Sequence, residues 1–132
     1  MNPNEHKKKE LQKILNLLKV KEYKTVIINA KSLIKKFPNE YIFYNACAMA
    51  LMNTGQFDES LEILNAAIKL GEKNIHVLNN LGLIHGYLAN YKKANEYYDR
   101  ALKIKPDYLN ALINLANLKE KLNLNNDAVE TL

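Results

Sequence analysis

Cysteine is almost absent from the sequence, whose 132 residues include the single thiol of Cys47. A disulfide within the chain is therefore impossible, and no CxxC pair exists for a metal or redox site. Long apolar runs are missing as well. The most apolar stretch, 41–52, has 12 residues with Asn45 inside it, whereas a membrane-spanning helix needs about 20. These absences predict a cytoplasmic protein without stable membrane insertion.

Glycine and proline are scarce, with four and three copies, and the motifs that mark common active sites do not occur. The sequence has no glycine-rich phosphate loop, no GxSxG, no HExxH and no EF-hand loop. Acidic residues cluster in segments 56–62 and 96–99, where a solvated helix surface accounts for them. The sequence therefore predicts neither an enzyme nor a bound cofactor.

Positive charge is confined to the start of the chain. Residues 1–40 hold ten lysines and four glutamates, a balance of +6, while the chain as a whole carries +5. The other 92 residues therefore sum to −1. A nucleic-acid-binding face combines a basic stripe with interleaved aromatic residues, so no nucleic-acid partner is predicted.

A period of 34 residues runs through the chain. Pro38 and Pro106 are 68 residues apart, twice 34. When segments 56–70, 90–104 and 124–132 are aligned at this period, small residues share one column and large residues another. The small column holds Ser60, Ala94 and Ala128, and the large column holds Leu64, Tyr98 and Leu132. A fixed period of this length predicts stacked copies of one supersecondary unit.

Within each period the apolar residues follow helical spacing with one interruption. Leu78, Leu81 and His85 recur at three and four residues, a polar break follows at 89–90, and the stripe resumes at Ala94. Each unit is therefore two antiparallel helices, about 75–88 and 91–104 in the third, with Pro106 ending the second. The predicted units are 7–40, 41–74, 75–108 and an incomplete 109–132, after a tail at 1–6. In the fourth unit, a second helix is expected to begin near residue 125.

The third unit has the residue spacing of a known repeat family. The matching positions are Leu78, Leu81, Gly82, His85, Ala94, Tyr98, Ala101 and Pro106. In these positions the chain resembles the tetratricopeptide repeat (TPR) family, including the repeat regions of O-GlcNAc-transferase-like and bacterial TPR proteins. The resemblance implies an all-α, right-handed α-solenoid of antiparallel helix pairs whose first helices line a concave groove. It also implies a protein-interaction scaffold with a protein or peptide partner.

Carried over column by column, the resemblance places a peptide-binding surface on the first helix of each unit. The expected peptide-binding residues are Asn45, Met49, Asn79, Asn80, Leu83, Tyr87, Asn114 and Asn117. The same surface is expected to include Ala46, Met52, Asn53, His76, Asn110, Ile113 and Lys121. It mixes amides with apolar groups.

Two ligand chemistries of the family match this surface to different degrees. A carboxylate clamp finds one of its five residues, Asn80, while Asn45, Met49, Asn110 and Asn114 stand where other residue types are expected. An asparagine ladder finds two consecutive rungs, Asn80 and Asn114, because a carboxamide can both donate to and accept from a peptide backbone. Since asparagine occurs 19 times, exposed polar filler is the alternative interpretation of these two residues.

Histidine and cysteine are predicted to pack rather than to bind metal. His76 and His85 are nine residues apart on one helix, which places them about half a turn from a common face. They cannot share an ion. His85 stands where the family usually has tyrosine, which predicts a buried, hydrogen-bonded ring, and Cys47 stands at a leucine-like position, which predicts a small buried hydrophobe.

The two ends of the chain leave alternatives open. Near the start, Leu11, Ile14, Leu15 and Leu18 form a stripe flanked by lysines, which predicts either a helix that caps the solenoid or one that lies on a membrane surface. At the other end, the incomplete fourth unit has two interpretations. The chain is the non-catalytic N-terminal part of a larger glycosyl- or sulfotransferase-like enzyme, or copies self-associate through that unit.

Overall fold

Seven α-helices make up the fold in the computed structural model, which describes the backbone of residues 2–130 and the side chains of residues 2–124. They are α1 (Pro3–Lys19), α2 (Tyr23–Lys36), α3 (Tyr41–Asn53), α4 (Phe57–Ile68), α5 (Ile75–Tyr87), α6 (Tyr91–Ile104) and α7 (Leu109–Glu130). No strand occurs in residues 2–130, and none of the helices there is both long and apolar enough to span a membrane. The all-α prediction is confirmed. Two compact units divide the chain, Met1–Leu70 with α1 to α4 and Gly71–Leu132 with α5 to α7.

Three turns of the same geometry join the helices of a pair, and they are 34 residues apart. Each contains a residue in the left-handed conformation, with φ of 63° at Lys21, 78° at Gly55 and 62° at Ala89. The N–H of that residue donates to a carbonyl three positions back at 3.1 Å, and the next N–H donates five positions back at 2.8–2.9 Å. This double hydrogen bond is the Schellman arrangement that ends a helix. The repeat period predicted from sequence therefore recurs in the backbone.

Burial is unequal between the two helices of a pair. In α3 nine of 13 residues are buried, and in α5 eight of 13. The second helices α4 and α6 bury three residues each. The first helix of each pair therefore supplies most of its unit's core, and the second covers it with one apolar stripe.

Helix α1 packs its apolar stripe into the core of the compact unit Met1–Leu70. Ile14 is fully buried, while Leu11 and Leu18 pack against the same core as Phe43. Only Leu15 of the predicted stripe is exposed. The capping interpretation of this helix is supported, because a membrane-surface helix needs the same stripe free to enter lipid.

The first helix begins within the segment 1–6 that the sequence predicts as a tail. Asn2 caps it, since its Oδ1 accepts the Glu5 N–H at 2.9 Å. Pro3 suits the first helical position because its missing N–H would have no partner there. Farther along, Lys7 pairs with Glu40 at 2.6 Å and ties α1 to the residue that precedes α3. Residues 3–6 of the predicted tail are therefore part of α1.

Small residues allow close packing within the pairs. The buried Ser60 hydroxyl donates to the Ala48 carbonyl at 2.9 Å, which joins α4 to α3. On α5, a Cβ added to Gly82 would lie only 2.5 Å from the ring of Tyr98 on α6. The small column and the large column of the repeat therefore face the partner helix. Ala128 and Leu132, the last members of these columns, lie outside the residues whose side chains the structure describes.

The prediction of a second helix starting near residue 125 is wrong. Helix α7 continues from Leu109 to Glu130 without a turn at Asn123, the position equivalent to Lys21, Gly55 and Ala89. A left-handed residue other than glycine costs about 1–2 kcal/mol. The other pairs offset this cost by packing a second helix of 12 to 14 residues against the first. Ala116, one repeat period after Gly82, is exposed on α7.

Candidate functional site

A pocket of about 230 Å³ opens in the compact unit Gly71–Leu132, among α5, α6 and α7. On both α5 and α7 the lining residues include pairs one, three and four positions apart, so each set shares one helix face. The pocket is lined by Leu83, Gly86, Tyr87, Tyr98, Asn114, Asn117, Leu118 and Lys121. Rings and aliphatic groups therefore dominate the lining, with two amides and one cation.

Four of the eight predicted peptide-binding residues line this pocket. Leu83 and Tyr87 come from α5, and Asn114 and Asn117 come from α7. The Tyr87 side chain is 52% exposed, and Asn117 is also exposed. The structure therefore brings these four together on an accessible surface.

Two predicted asparagines are buried instead. Asn79 is 6% exposed and Asn80 is 9% exposed. The Asn114 Nδ2 donates to the Asn79 Oδ1 at 3.0 Å, so one N–H of Asn114 is used between helices. This burial corrects the predicted place of Asn79 and Asn80 on the open surface. The case for an asparagine ladder of Asn80 and Asn114 is weaker as well, because Asn114 retains only part of its hydrogen-bonding capacity for a ligand.

The predicted residues on α3 are likewise partly exposed and partly buried. Met49 is 41% exposed, and Asn53 beside it is exposed and donates to the Met49 carbonyl at 2.8 Å. Asn45, Ala46 and Met52 are buried, because α3 buries all but one side of its surface. A ligand-binding role for Met49 stays a prediction.

Three residues of the pocket were not predicted as site residues from the sequence. Tyr98 belongs to the column of large residues and is buried, and its ring also forms part of the pocket wall. The sequence patterns described above single out neither Gly86 nor Leu118. Helical spacing could have found both, since Gly86 is three positions after Leu83 and Leu118 is four after Asn114.

His85 packs as a buried ring between α5 and α6, as predicted. His85 is buried, and its ring stacks on Tyr97 at a centroid distance of 5.4 Å. The Asn90 amide lies 3.4 Å from the His85 Nδ1 and donates to it. Burial lowers the pKa of His85, with a smaller contribution from the positive charge of Lys93. The ring is therefore held neutral, as a buried packing residue should be.

This burial predicts that the fold loses stability in mild acid. The unfolded chain binds a proton on His85 near pH 6.5, whereas the folded chain binds it only at lower pH. The contribution of His85 to the free energy of unfolding should therefore be constant above about pH 6.5, fall as the pH drops below that value, and level off below the folded-state pKa. Urea denaturation followed by circular dichroism at a series of pH values measures this dependence.

The matched variant is His85→Phe, which keeps a ring against Tyr97 but cannot titrate. The difference in unfolding free energy between wild type and variant should change below pH 6.5, with wild type losing more. A difference independent of pH would show that His85 does not carry the effect.

Cys47 has no chemistry in this structure. Its side chain is fully buried, and burial raises the pKa of the thiol to about 11. The nucleophilic form of a cysteine is the thiolate, so Cys47 stays a protonated, packed side chain at neutral pH. Among the residues that the structure describes, no group of three or more acidic, histidine or cysteine side chains could hold a metal ion.

Comparison with known proteins identifies the family. Residues 41–107, about half of the chain, match the family model described as tetratricopeptide repeat. The chain belongs to the tetratricopeptide repeat family. This TPR chain is 30% identical over 101 residues to Photosystem I assembly protein Ycf3 of Rippkaea orientalis, an alignment that covers 70% of the chain. It spans 58% of the length of that relative.

Solved TPR structures share the fold. The Sgt2 TPR domain from Aspergillus fumigatus superposes with a TM-score of 0.83 at 22% identity, over 96% of this chain and 83% of that one. The first TPR of Spaghetti (RPAP3), bound to the HSP90 peptide SRMEEVD, superposes with a TM-score of 0.78 at 18% identity. That match covers 86% of this chain and 90% of the other. At these identities the likeness establishes the TPR fold.

Proposed function

We propose that this TPR chain is a non-catalytic interaction scaffold that holds an extended segment of a partner protein against α5 and α7. The observation that carries the proposal is the pocket of about 230 Å³, where residues predicted from the repeat pattern converge. Leu83 and Tyr87 offer apolar surface there, and Asn117 offers an amide that can pair with a peptide backbone of any sequence.

Apolar contact has to supply most of the affinity. A net hydrogen bond contributes about 0.5–1.5 kcal/mol, and Asn114 already spends one N–H on Asn79. Burying an exposed aromatic or leucine side chain contributes about 1.5–3 kcal/mol. Tyr87, which is half exposed, is therefore expected to contribute more than either amide.

The ligands of structural neighbours support a peptide as the class of partner. The first TPR of Spaghetti is bound to an HSP90 peptide, and the second TPR domain of human RPAP3 is in complex with an HSP70 peptide. Four of the five clamp positions differ in this chain, with Asn45, Met49, Asn110 and Asn114 in them. A partner with a different recognition sequence is therefore proposed.

The proposal predicts that changes at the pocket weaken peptide binding without unfolding the chain. A random nonapeptide library displayed on phage is selected on the wild-type protein, and an enriched peptide is synthesised. The variant carrying Tyr87→Ala with Asn117→Ala should bind it at least about tenfold more weakly, since it loses one large apolar contact and one amide. Isothermal titration calorimetry measures the affinities.

A matched control carries Ile28→Ala with Asn65→Ala, two exposed positions on α2 and α4. Its affinity should equal that of wild type, and both variants should melt within a few degrees of wild type. Equal affinity for the wild type and the pocket variant, or no enriched peptide at all, would contradict the proposed site. Asn114→Ala is unsuitable here, because it also leaves the buried Asn79 oxygen without its donor.

The remaining interpretations stay predictions. They are the cytoplasmic location, the lack of a nucleic-acid partner, membership of a larger glycosyl- or sulfotransferase-like enzyme, and self-association through the fourth unit. The last has an observation behind it, since Leu109, Leu112 and Leu124 of α7 are exposed. Nothing in the residues that the structure describes shows what would cover them.

A further inference from the structure

Helix α5 contains two glycines, and only one of them is required by packing. Glycine is the least favourable residue inside a helix after proline, so each one calls for a reason. Gly82 has one, because a Cβ there would lie 2.5 Å from the ring of Tyr98. Gly86 has none of this kind, because a Cβ there would meet no atom within 4 Å.

The space in front of Gly86 belongs to the pocket between α5 and α7. A larger residue at 86, which lines the pocket together with Leu83 and Leu118, would take up part of this open space. The glycine therefore keeps the pocket open at the expense of helix stability. Glycine is used where the backbone must approach a ligand closely, so this open space suits a ligand group rather than a protein side chain.

The size of the pocket sets the size of that group. Sites for drug-sized ligands have about 300–1,000 Å³, and this one has about 230 Å³. Its volume suits a single side chain. Tyr98, Leu83 and Leu118 make its interior apolar, which favours an apolar group over a polar one.

The charge of the pocket sets the chemistry next to that group. Within the part of the chain that the structure describes, Lys121 is the only charged residue in the lining. It is exposed, and its Nζ lies 5.6 Å from the centroid of the Tyr91 ring. Helix α5 contains no acidic residue. A carboxylate on the ligand would therefore meet a cation and no like charge from α5.

We propose that the pocket receives one bulky apolar side chain of a partner segment, that Lys121 pairs with an acidic residue next to it, and that Gly86 is the residue that admits the apolar group. The inference rests on the proposed function, since it specifies the peptide that the same surface binds. The partner is therefore a protein segment in which leucine, methionine or phenylalanine adjoins aspartate or glutamate.

Defined peptides test this specificity. Three nonapeptides of glycine and serine carry Leu-Glu, Ala-Glu or Leu-Lys at the centre, and each is titrated into ¹⁵N-labelled protein and followed by NMR. Leu-Glu should bind roughly tenfold or more tightly than Ala-Glu, as expected for burying a leucine side chain. It should bind several-fold more tightly than Leu-Lys, which has the wrong charge for Lys121. Equal binding of all three peptides would overturn the proposal.

Two variants test the residues. Gly86→Leu fills the pocket and should abolish the preference for Leu-Glu over Ala-Glu, whereas Gly86→Ala should keep most of it. Lys121→Glu should reverse the preference between Leu-Glu and Leu-Lys, a result that does not depend on how Gly86→Leu folds. Wild-type preferences in both Gly86→Leu and Lys121→Glu would overturn the inference.

The selected phage peptide separates this inference from the proposed function. If that peptide still loses affinity in the variant with Tyr87→Ala and Asn117→Ala, but not in Gly86→Leu or Lys121→Glu, the surface binds peptides by another specificity. The proposed function would then stand and the pocket inference would fall. If no selected or defined peptide binds the wild-type chain, both fall.

Discussion

Replacing Ala94 with phenylalanine is expected to lower the free energy of unfolding by about 3 kcal/mol, the upper end of the usual cost of overpacking a core. Ala94 is fully buried on α6 and stands in the column of small residues. Its counterpart on α4, Ser60, is also fully buried and lies close enough to α3 to donate to the Ala48 carbonyl. A ring at position 94 therefore has no space unless α5 and α6 move apart. Urea denaturation followed by circular dichroism measures the loss.

The matched control is Ala66→Phe, at an exposed position of α4. Its stability should stay within about 0.5 kcal/mol of wild type, as for most surface substitutions. Equal stability of Ala94→Phe and Ala66→Phe would show that the column of small residues does not lie at the contact between paired helices. The alignment of the units would then be wrong.

Leucine at Gly82 is expected to cost at least about 3 kcal/mol, whereas leucine at Gly86 is expected to cost nothing. At position 82 the first added carbon already lies 2.5 Å from the buried ring of Tyr98, and the rest of the side chain has to displace that ring. At position 86 the added carbon meets no atom. Leucine there gains about 0.5–1 kcal/mol, because it favours a helix more than glycine does.

Thermal melting of the two variants measures this contrast within one helix. Gly82→Leu should melt far below wild type, and Gly86→Leu at or above it. A smaller substitution, Gly82→Ala, should fall between Gly82→Leu and wild type. Equal melting temperatures for Gly82→Leu and Gly86→Leu would show that the close approach of α5 to the Tyr98 ring does not exist.

Helices, turns and the repeat period could be predicted from sequence because short-range patterns specify them. The proline at 106 and the polar break at 89–90 bound α6 correctly, since turns depend on residues a few positions apart. The end of α7 could not be predicted in the same way. Asn123 tolerates a turn, but a turn forms there only if a second helix packs back onto α7. The residues near 123 do not determine that packing.

The site could be predicted in part for a similar reason. Helical spacing places Leu83 and Tyr87 on one face of α5, and that face borders the pocket. Spacing does not give the distance between two helices, and the hydrogen bond from Asn114 to Asn79 depends on that distance. The open space in front of Gly86 could not be predicted, because it depends on the residues around Gly86 rather than on the glycine itself.

The most direct test of the proposed function is to map a bound peptide onto the chain. A phage-selected peptide is titrated into ¹⁵N-labelled protein, and the amide signals that change are assigned. The changes should concentrate at Leu83, Gly86, Tyr87, Asn117 and Lys121, the residues of α5 and α7 that line the pocket. Changes confined to the second helices of the pairs, α2, α4 and α6, with α5 and α7 unaffected, would contradict it.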